Sequence, residues 1–162
     1  MPAKKPIDTP AQIATLTAFE LDVLQDKACG LTDAAVGDKR NHASISTAKS
    51  WLRDIFEKLG YYQDDDVAKD IENPAARAVC AVLRAKKIAG PPGMKGKVQG
   101  LSREEQSVLD FVSLGYSTPQ IASYLYSGEE TVKARIQSAG KKLGVKSRVQ
   151  IAAAAIAHGL IE

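Results

Sequence analysis

Two stretches of this chain repeat each other across a break that neither a helix nor a strand can cross. Leu16-Thr17 and Leu101-Ser102 lie 85 residues apart, each setting a hydroxyl at the start of a helix. Gly30 and Gly115 close those helices at the same offset. Thr47-Ala-Lys49 and Thr131-Val-Lys133 match at an offset of 84, as do Leu59-Gly60 and Leu143-Gly144, and Ile88 and Ile161 match at 73. The first copy therefore has one extra residue before its third helix and eleven after it. Similarity of this kind marks an internal repeat. Between the copies, Ala89-Gly-Pro-Pro-Gly-Met-Lys-Gly-Lys-Val-Gln-Gly100 holds four glycines and two prolines in twelve residues. That composition predicts a flexible, basic linker. The expected organisation is a tail over 1–15, a domain over 16–88, the linker over 89–100 and a second domain over 101–162.

Each copy reads as helices only. In the second, Val108, Leu109 and Val112 give the first helix a core face. A second helix starts near Thr118 behind Ser117 as its cap, with Pro119 tolerated in the first turn and Ile121, Ala122 and Leu125 inward. Val132, Ile136, Ala139 and Leu143 follow at i, i+4, i+7 and i+11, one buried helical stripe. The first copy repeats that stripe as Ala48, Leu52, Ile55 and Leu59. A fourth helix runs from about Arg148 to His158. No segment alternates with period two, so the predicted class is all-α: two small four-helix units joined by a Gly/Pro/Lys linker.

Composition excludes several other classes. With 44% hydrophobic and 25% charged residues the chain is globular. Its longest apolar run, Ile151 to Ala157, is far short of the roughly 20 residues that span a bilayer. The start lacks the apolar stretch of a secretory signal, and the expected location is the cytoplasm. Cys29 and Cys80 form no metal-ligand spacing, and each reads as a small buried hydrophobe. The Gly-Lys of the linker fails the phosphate-loop pattern, because Pro91 replaces its first glycine and Val98 follows the lysine. No nucleophile–base arrangement appears, so neither an enzyme nor a cofactor or metal is expected. Charge is more telling in its distribution than in its sum of +3. Five of the seven bases after residue 100 fall between Lys133 and Lys146, with Arg148 just beyond. Such a cluster fits an anionic partner.

A basic helix behind a short helix and a tight turn suits the major groove of DNA, which is about 12 Å wide and admits one helix. With Val132, Ile136 and Ala139 inward, the outward positions are Lys133, Ala134, Gln137 and Lys141. Lysine can donate to guanine, and glutamine can pair with adenine. The same residues also fit an ordinary solvated helix face.

Several separated motifs then fall in register with one family. Leu101-Ser, Glu104-Glu105, Gly115-Tyr-Ser, Gln120-Ile-Ala, Thr131-Val-Lys133, Lys142-Leu-Gly-Val-Lys-Ser-Arg148 and Gly159-Leu-Ile161 resemble the LuxR/FixJ-type (GerE-like) helix-turn-helix domain without a gap. The resemblance implies a four-helix DNA-binding domain of bacterial transcription regulators, acting on double-stranded DNA at the nucleoid. It implies that Lys133, Ala134 and Gln137 face bases, and that Thr131, Lys146, Ser147 and Arg148 lie near phosphates. It also implies a homodimer through the C-terminal helix, whose Ala152 to Ala155 permit close approach. This copy departs from the pattern at Ser127 and at Gly128, which takes a cap position usually held by Ser or Thr. Gly140 lies inside the reading helix, where glycine costs about 1 kcal/mol relative to alanine and suggests reduced rigidity.

Residues 16–88 resemble the same domain more weakly. Their third helix is expected to start at Ser44 as cap, with Lys49, Ser50 and Arg53 at the matching base-facing positions. The preceding turn, Gly37-Asp-Lys-Arg-Asn-His42, lacks the packing pattern of the second copy. Trp51 reads as either a contact residue or a partly buried one, and His42 as a solvated turn residue. From Tyr61 to Glu72 five acids oppose one lysine, which repels DNA unless the segment swings away. Asp64 to Asp66 could cap a short extra helix there. Their adjacency lacks the alternate spacing of a calcium loop.

Two functions compete. The first is a sequence-specific DNA-binding transcription regulator with two linked helix-turn-helix domains and no sensor domain, since fifteen residues cannot fold one. The second is an adaptor or anti-regulator whose acidic first half captures another regulator or RNA polymerase.

Overall fold

The computed structural model describes residues 7–62, 71–91 and 100–162, and within them the regular structure is entirely helical. A short α1 (Pro10–Ala14) precedes α2 (Ala18–Ala28), α3 (Asp33–Lys39), α4 (Ile45–Lys58) and α5 (Pro74–Arg84). The second half follows with α6 (Arg103–Ser113), α7 (Thr118–Tyr124), α8 (Glu129–Leu143) and α9 (Arg148–Ala157). None is long and apolar enough to cross a membrane.

The expected caps set the boundaries. Thr17 and Ser102 open α2 and α6 as capping boxes, each hydroxyl accepting the N3 amide while Glu20 or Glu105 accepts the cap's own N–H. Ser44, Ser117 and Ser147 cap α4, α7 and α9 through their hydroxyls, whereas Gly128 gives α8 no side-chain cap. Both predicted third-helix stripes are buried: Ala48, Leu52, Ile55 and Leu59 on one side, Val132, Ile136, Ala139 and Leu143 on the other. The turn before α4 is one residue longer than that before α8, 40–44 against 125–128, as the offset change requires. Asn41 and His42 both take positive φ there, where the shorter turn has Tyr126 alone.

Both halves clamp their third helix to their first with an ion pair between a lysine and a buried glutamate. Lys58 Nζ lies 2.7 Å from Glu20, and Lys142 Nζ 2.7 Å from Glu105. Burial by itself raises the Glu105 carboxyl, but hydrogen bonds from Lys142, Ser138 and the Ser102 amide hold it below the usual carboxylate range. The balance at Glu20 is the same, with Lys58 and Thr17 as donors.

Residues 7–15 are not a loose tail. Ile13 is buried in the first half's core, and the Asp8 amide donates to the Leu59 carbonyl. The Asp8 carboxylate receives Arg77 Nε at 2.5 Å and the Tyr61 hydroxyl. At the far end, Ala89 exchanges two hydrogen bonds with the Gln25 amide and Pro91 is buried, so the linker's first residues are anchored. Its remainder, 92–99, lies outside the described residues. So does the helix suggested for Asp64 to Asp66.

A helix–helix interface joins the halves: α5 packs along α9. Ala152, Ala153, Ala154 and Ala155 are all fully buried. Four consecutive residues cover about 300° of a helix surface at 100° each, so α9 is enclosed nearly all round. Alanine lets the neighbouring axes come close. The alanines assigned above to contact with a second copy are thus covered within the same chain, by α5 and α2 of the first half together with α6 and α8 of the second. Ala153 enters the first half's core, and Cys80 of α5 enters the second's. Burial pushes the Cys80 thiol up to about 12, which keeps it protonated. Cys29 is only half-buried, against expectation.

Each fourth helix also packs on the other half's first helix, α9 on α2 and α5 on α6. Gln150 Nε2 donates to the Cys29 carbonyl at 2.7 Å, and Arg77 Nη1 donates to the Leu114 carbonyl at 3.1 Å. These side chains satisfy carbonyls that the ends of α2 and α6 leave open. Gly30 and Gly115 follow those carbonyls at φ +86°, and a Cβ on Gly30 would stand 2.2 Å from the Gln150 side chain. The left-handed conformation favours glycine at both positions, and a side chain at Gly30 would also displace the Gln150 amide from the Cys29 carbonyl.

Gly140 serves packing rather than flexibility. A Cβ at this position would meet Ile151 Cδ1 and the Val145 carbonyl oxygen, both at 2.9 Å. Gly140→Ala is therefore expected to destabilise the fold by about 1–3 kcal/mol, despite alanine's better helix propensity. Urea denaturation of the variant checks the sign.

Candidate nucleic-acid interface

The short α7, held by the Ser117–Gln120 capping box, buries Ile121 and Ala122. Its chain then reverses through Tyr126 at φ +48° and starts α8. With its apolar stripe on the scaffold, α8 turns Thr131, Lys133, Ala134, Gln137 and Lys141 to solvent. Lys133, Ala134, Gln137 and Lys141 are the outward positions expected from the spacing, and Thr131 is the residue that the resemblance adds.

The basic cluster divides once side chains are placed. Lys142 points inward to Glu105 and is unavailable to a ligand. Lys133 makes an exposed pair with Glu130 at 2.7 Å, which raises its pKa and which water readily exchanges. Lys141 and Lys146 are exposed and form no ion pair among the described residues. They line a cleft of about 570 Å³ between α8 and the start of α9, together with Gln137 and Arg148.

Two residues expected near phosphates have internal duties. The Ser147 hydroxyl accepts the Gln150 amide at 3.1 Å as the α9 cap. Arg148 donates to the Tyr116 carbonyl at 2.6 Å and to Thr118 Oγ1 at 3.1 Å, tying α9 to the entry of α7. Burial lowers its pKa below the ordinary guanidinium value. Arg148→Ala is expected to cost about 2 kcal/mol, seen as a melting temperature roughly 6 °C lower. Thermal melting without DNA separates this structural part from any effect on binding.

In the first half, α4 exposes Lys49 and Arg53 and half-buries Ser50, whose Oγ lies 3.5 Å from Arg53 Nη2. Lys49 and Arg53 flank a cleft of about 400 Å³ that also touches Tyr62 and Asn73. The neighbouring bases are engaged: Lys39 and Arg40 pair with buried Asp26, and Lys27 with Asp33. Trp51 is half-buried against Phe19, ring centroids 5.0 Å apart at 87°, with Arg40 over the other ring 5.2 Å away. His42 is exposed and reaches Asp38 at 2.9 Å.

Sequence reasoning missed the exposed aromatics. Tyr126 is 99% exposed at the turn, and Tyr124 stacks on Phe111 with half its surface in water. A tyrosine pair flanking the turn was the available signal.

Comparison with known proteins bears on this half. Residues 99–155 match the family described as bacterial regulatory proteins, luxR family, and form a luxR-type helix-turn-helix domain. The probable transcriptional regulatory protein NarL of Mycobacterium tuberculosis is 39% identical over 62 residues, 38% of this chain and 29% of that protein. The DNA-binding transcriptional activator DevR/DosR of the same organism is 33% identical over 82 residues, 51% of this chain and 36% of that protein. The chain thus matches only about a third of the length of these relatives. No solved structure matches it.

Proposed function

We propose that this protein is a sequence-specific DNA-binding transcription regulator, working in the cytoplasm on the nucleoid, and that α8 is its principal reading helix. The observation that carries this is the outer edge of α8. Thr131, Lys133, Ala134, Gln137 and Lys141 stand in solvent on a helix whose opposite face is locked into the core. Lys133 and Gln137 address base edges, while Thr131, Lys141 and Lys146 address the backbone. Arg148 and Ser147 act mainly by fixing the start of α9, so their contact with phosphate is indirect. The luxR-type match and the two mycobacterial regulators favour the same reading.

The first half contributes a second helix-turn-helix unit, with Lys49, Ser50 and Arg53 of α4 in the corresponding places. Selecting duplexes from a random pool with the full chain tests the proposal. A short enriched motif whose affinity falls with salt is expected. Recovery of no common sequence contradicts it.

A further inference from the structure

The contacts between the halves obey an exchange rule. α9 packs on α2 as α5 packs on α6, while α5 and α9 pack on each other. Gln150 caps Cys29 as Arg77 caps Leu114. The first-helix positions differ by the repeat offset of 85 and the fourth-helix positions by 73, the offsets that relate the two halves in sequence. Swapping the halves therefore maps each of these contacts onto another. A two-fold axis does the same in a symmetric dimer, but here both partners belong to one chain.

We propose that the chain is a built-in dimer, in which one copy occupies an imperfect inverted repeat on DNA by placing α8 on one half-site and α4 on the other. This rests on the DNA-binding reading of α8. Rotation by 180° preserves the component of any direction along the axis, so the outward faces of α4 and α8 look toward the same end of it. Two-fold proteins meet half-sites about one helical turn apart, or a multiple of it, on one face of a duplex. The surface through which a second copy would supply the other half-site is already filled, since Ala152 to Ala155 are buried against the same chain.

The two helices also set how the half-sites differ. Lys49 and Lys133 are equivalent at the offset of 84, whereas Arg53 stands where α8 has Gln137. Arginine pairs with guanine and glutamine with adenine, so the half-sites share one position and diverge at another. Glu57 and Tyr62 stand where the second half has Lys141 and Lys146. The α4 half-site is therefore gripped with less positive charge and is the weaker of the two.

The test uses the full chain on the duplex selected above, with native mass spectrometry for stoichiometry and hydroxyl-radical footprinting for position. One chain per duplex is expected, protecting two patches on one face about a helical turn apart. Lys49→Ala with Arg53→Ala should erase one patch and weaken binding about ten-fold while the other patch persists. Both side chains are exposed, and an unchanged melting curve confirms that the variant is folded. Two chains per duplex, or an α4 variant with the parent's footprint and affinity, overturns the built-in dimer and leaves the α8 reading intact. Absence of sequence-dependent binding by the parent chain overturns both.

Discussion

Aspartate in place of Ala153 is expected to unfold both halves in a single transition. Ala153 is fully exposed to neither water nor a polar partner: it is buried on α9 and enters the first half's core. A carboxylate there has no counter-charge, and an uncompensated buried charge costs on the order of 4 kcal/mol. Native stability is itself only about 5–15 kcal/mol, so the loss is a large fraction of the whole. Because α5 and α9 each contribute to both cores, the damage does not stay local. Urea denaturation read by circular dichroism and by Trp51 fluorescence should give one shared midpoint, far below the parent's. Ala11→Asp, at an exposed site in the first turn of α1, should change stability by no more than about 0.5 kcal/mol. Two separated transitions, with the Trp51 signal unchanged, would show that the halves stand independently.

The second large effect concerns DNA. Lys133→Ala and Gln137→Ala are each expected to weaken binding to the selected duplex by roughly 10- to 100-fold. The loss should be confined to particular base pairs, so that substituting those pairs in the DNA costs the variant little. Both residues lie on the solvent edge of α8, away from its buried stripe, so melting behaviour should stay with the parent's. Lys141→Ala provides the contrast. As a backbone contact it should weaken all duplexes alike and lower the salt dependence by about one phosphate contact. Fluorescence anisotropy on matched and substituted duplexes measures all three. An unchanged affinity for the first two variants removes α8 as the reading helix.

What could be read from sequence was local. The serine and threonine caps, both four-residue apolar stripes and the starts of α7 to α9 follow from signals within one or two helical turns. The extra residue before α4 was visible as a change of offset and appears as the longer turn. The outward edge of α8 followed from its stripe, because a helix with one buried face has only one other to present. The joining of the halves was not legible. Gln150 and Cys29 are 121 residues apart, and a hydrogen bond across that distance leaves no periodic trace. The alanines of α9 read as helix formers or as a face for a second copy, since composition does not say which neighbour covers them. Gly140 read as a weakness because its reason, Ile151 pressing from another helix, is tertiary. The resemblance places Arg148 near phosphates, and its tie to a carbonyl 32 residues earlier leaves no local trace in sequence. α1 carries a proline at its start and a Thr9–Gln12 capping box, yet five residues are too few for a helix pattern to declare itself.

Titration of the unmodified chain with the selected duplex and with a scrambled duplex of equal length, at one ionic strength, tests the central claim most directly. The predicted result is binding at least about 10³-fold tighter to the selected duplex, with both affinities falling as salt rises. Equal affinity for the two duplexes would contradict it.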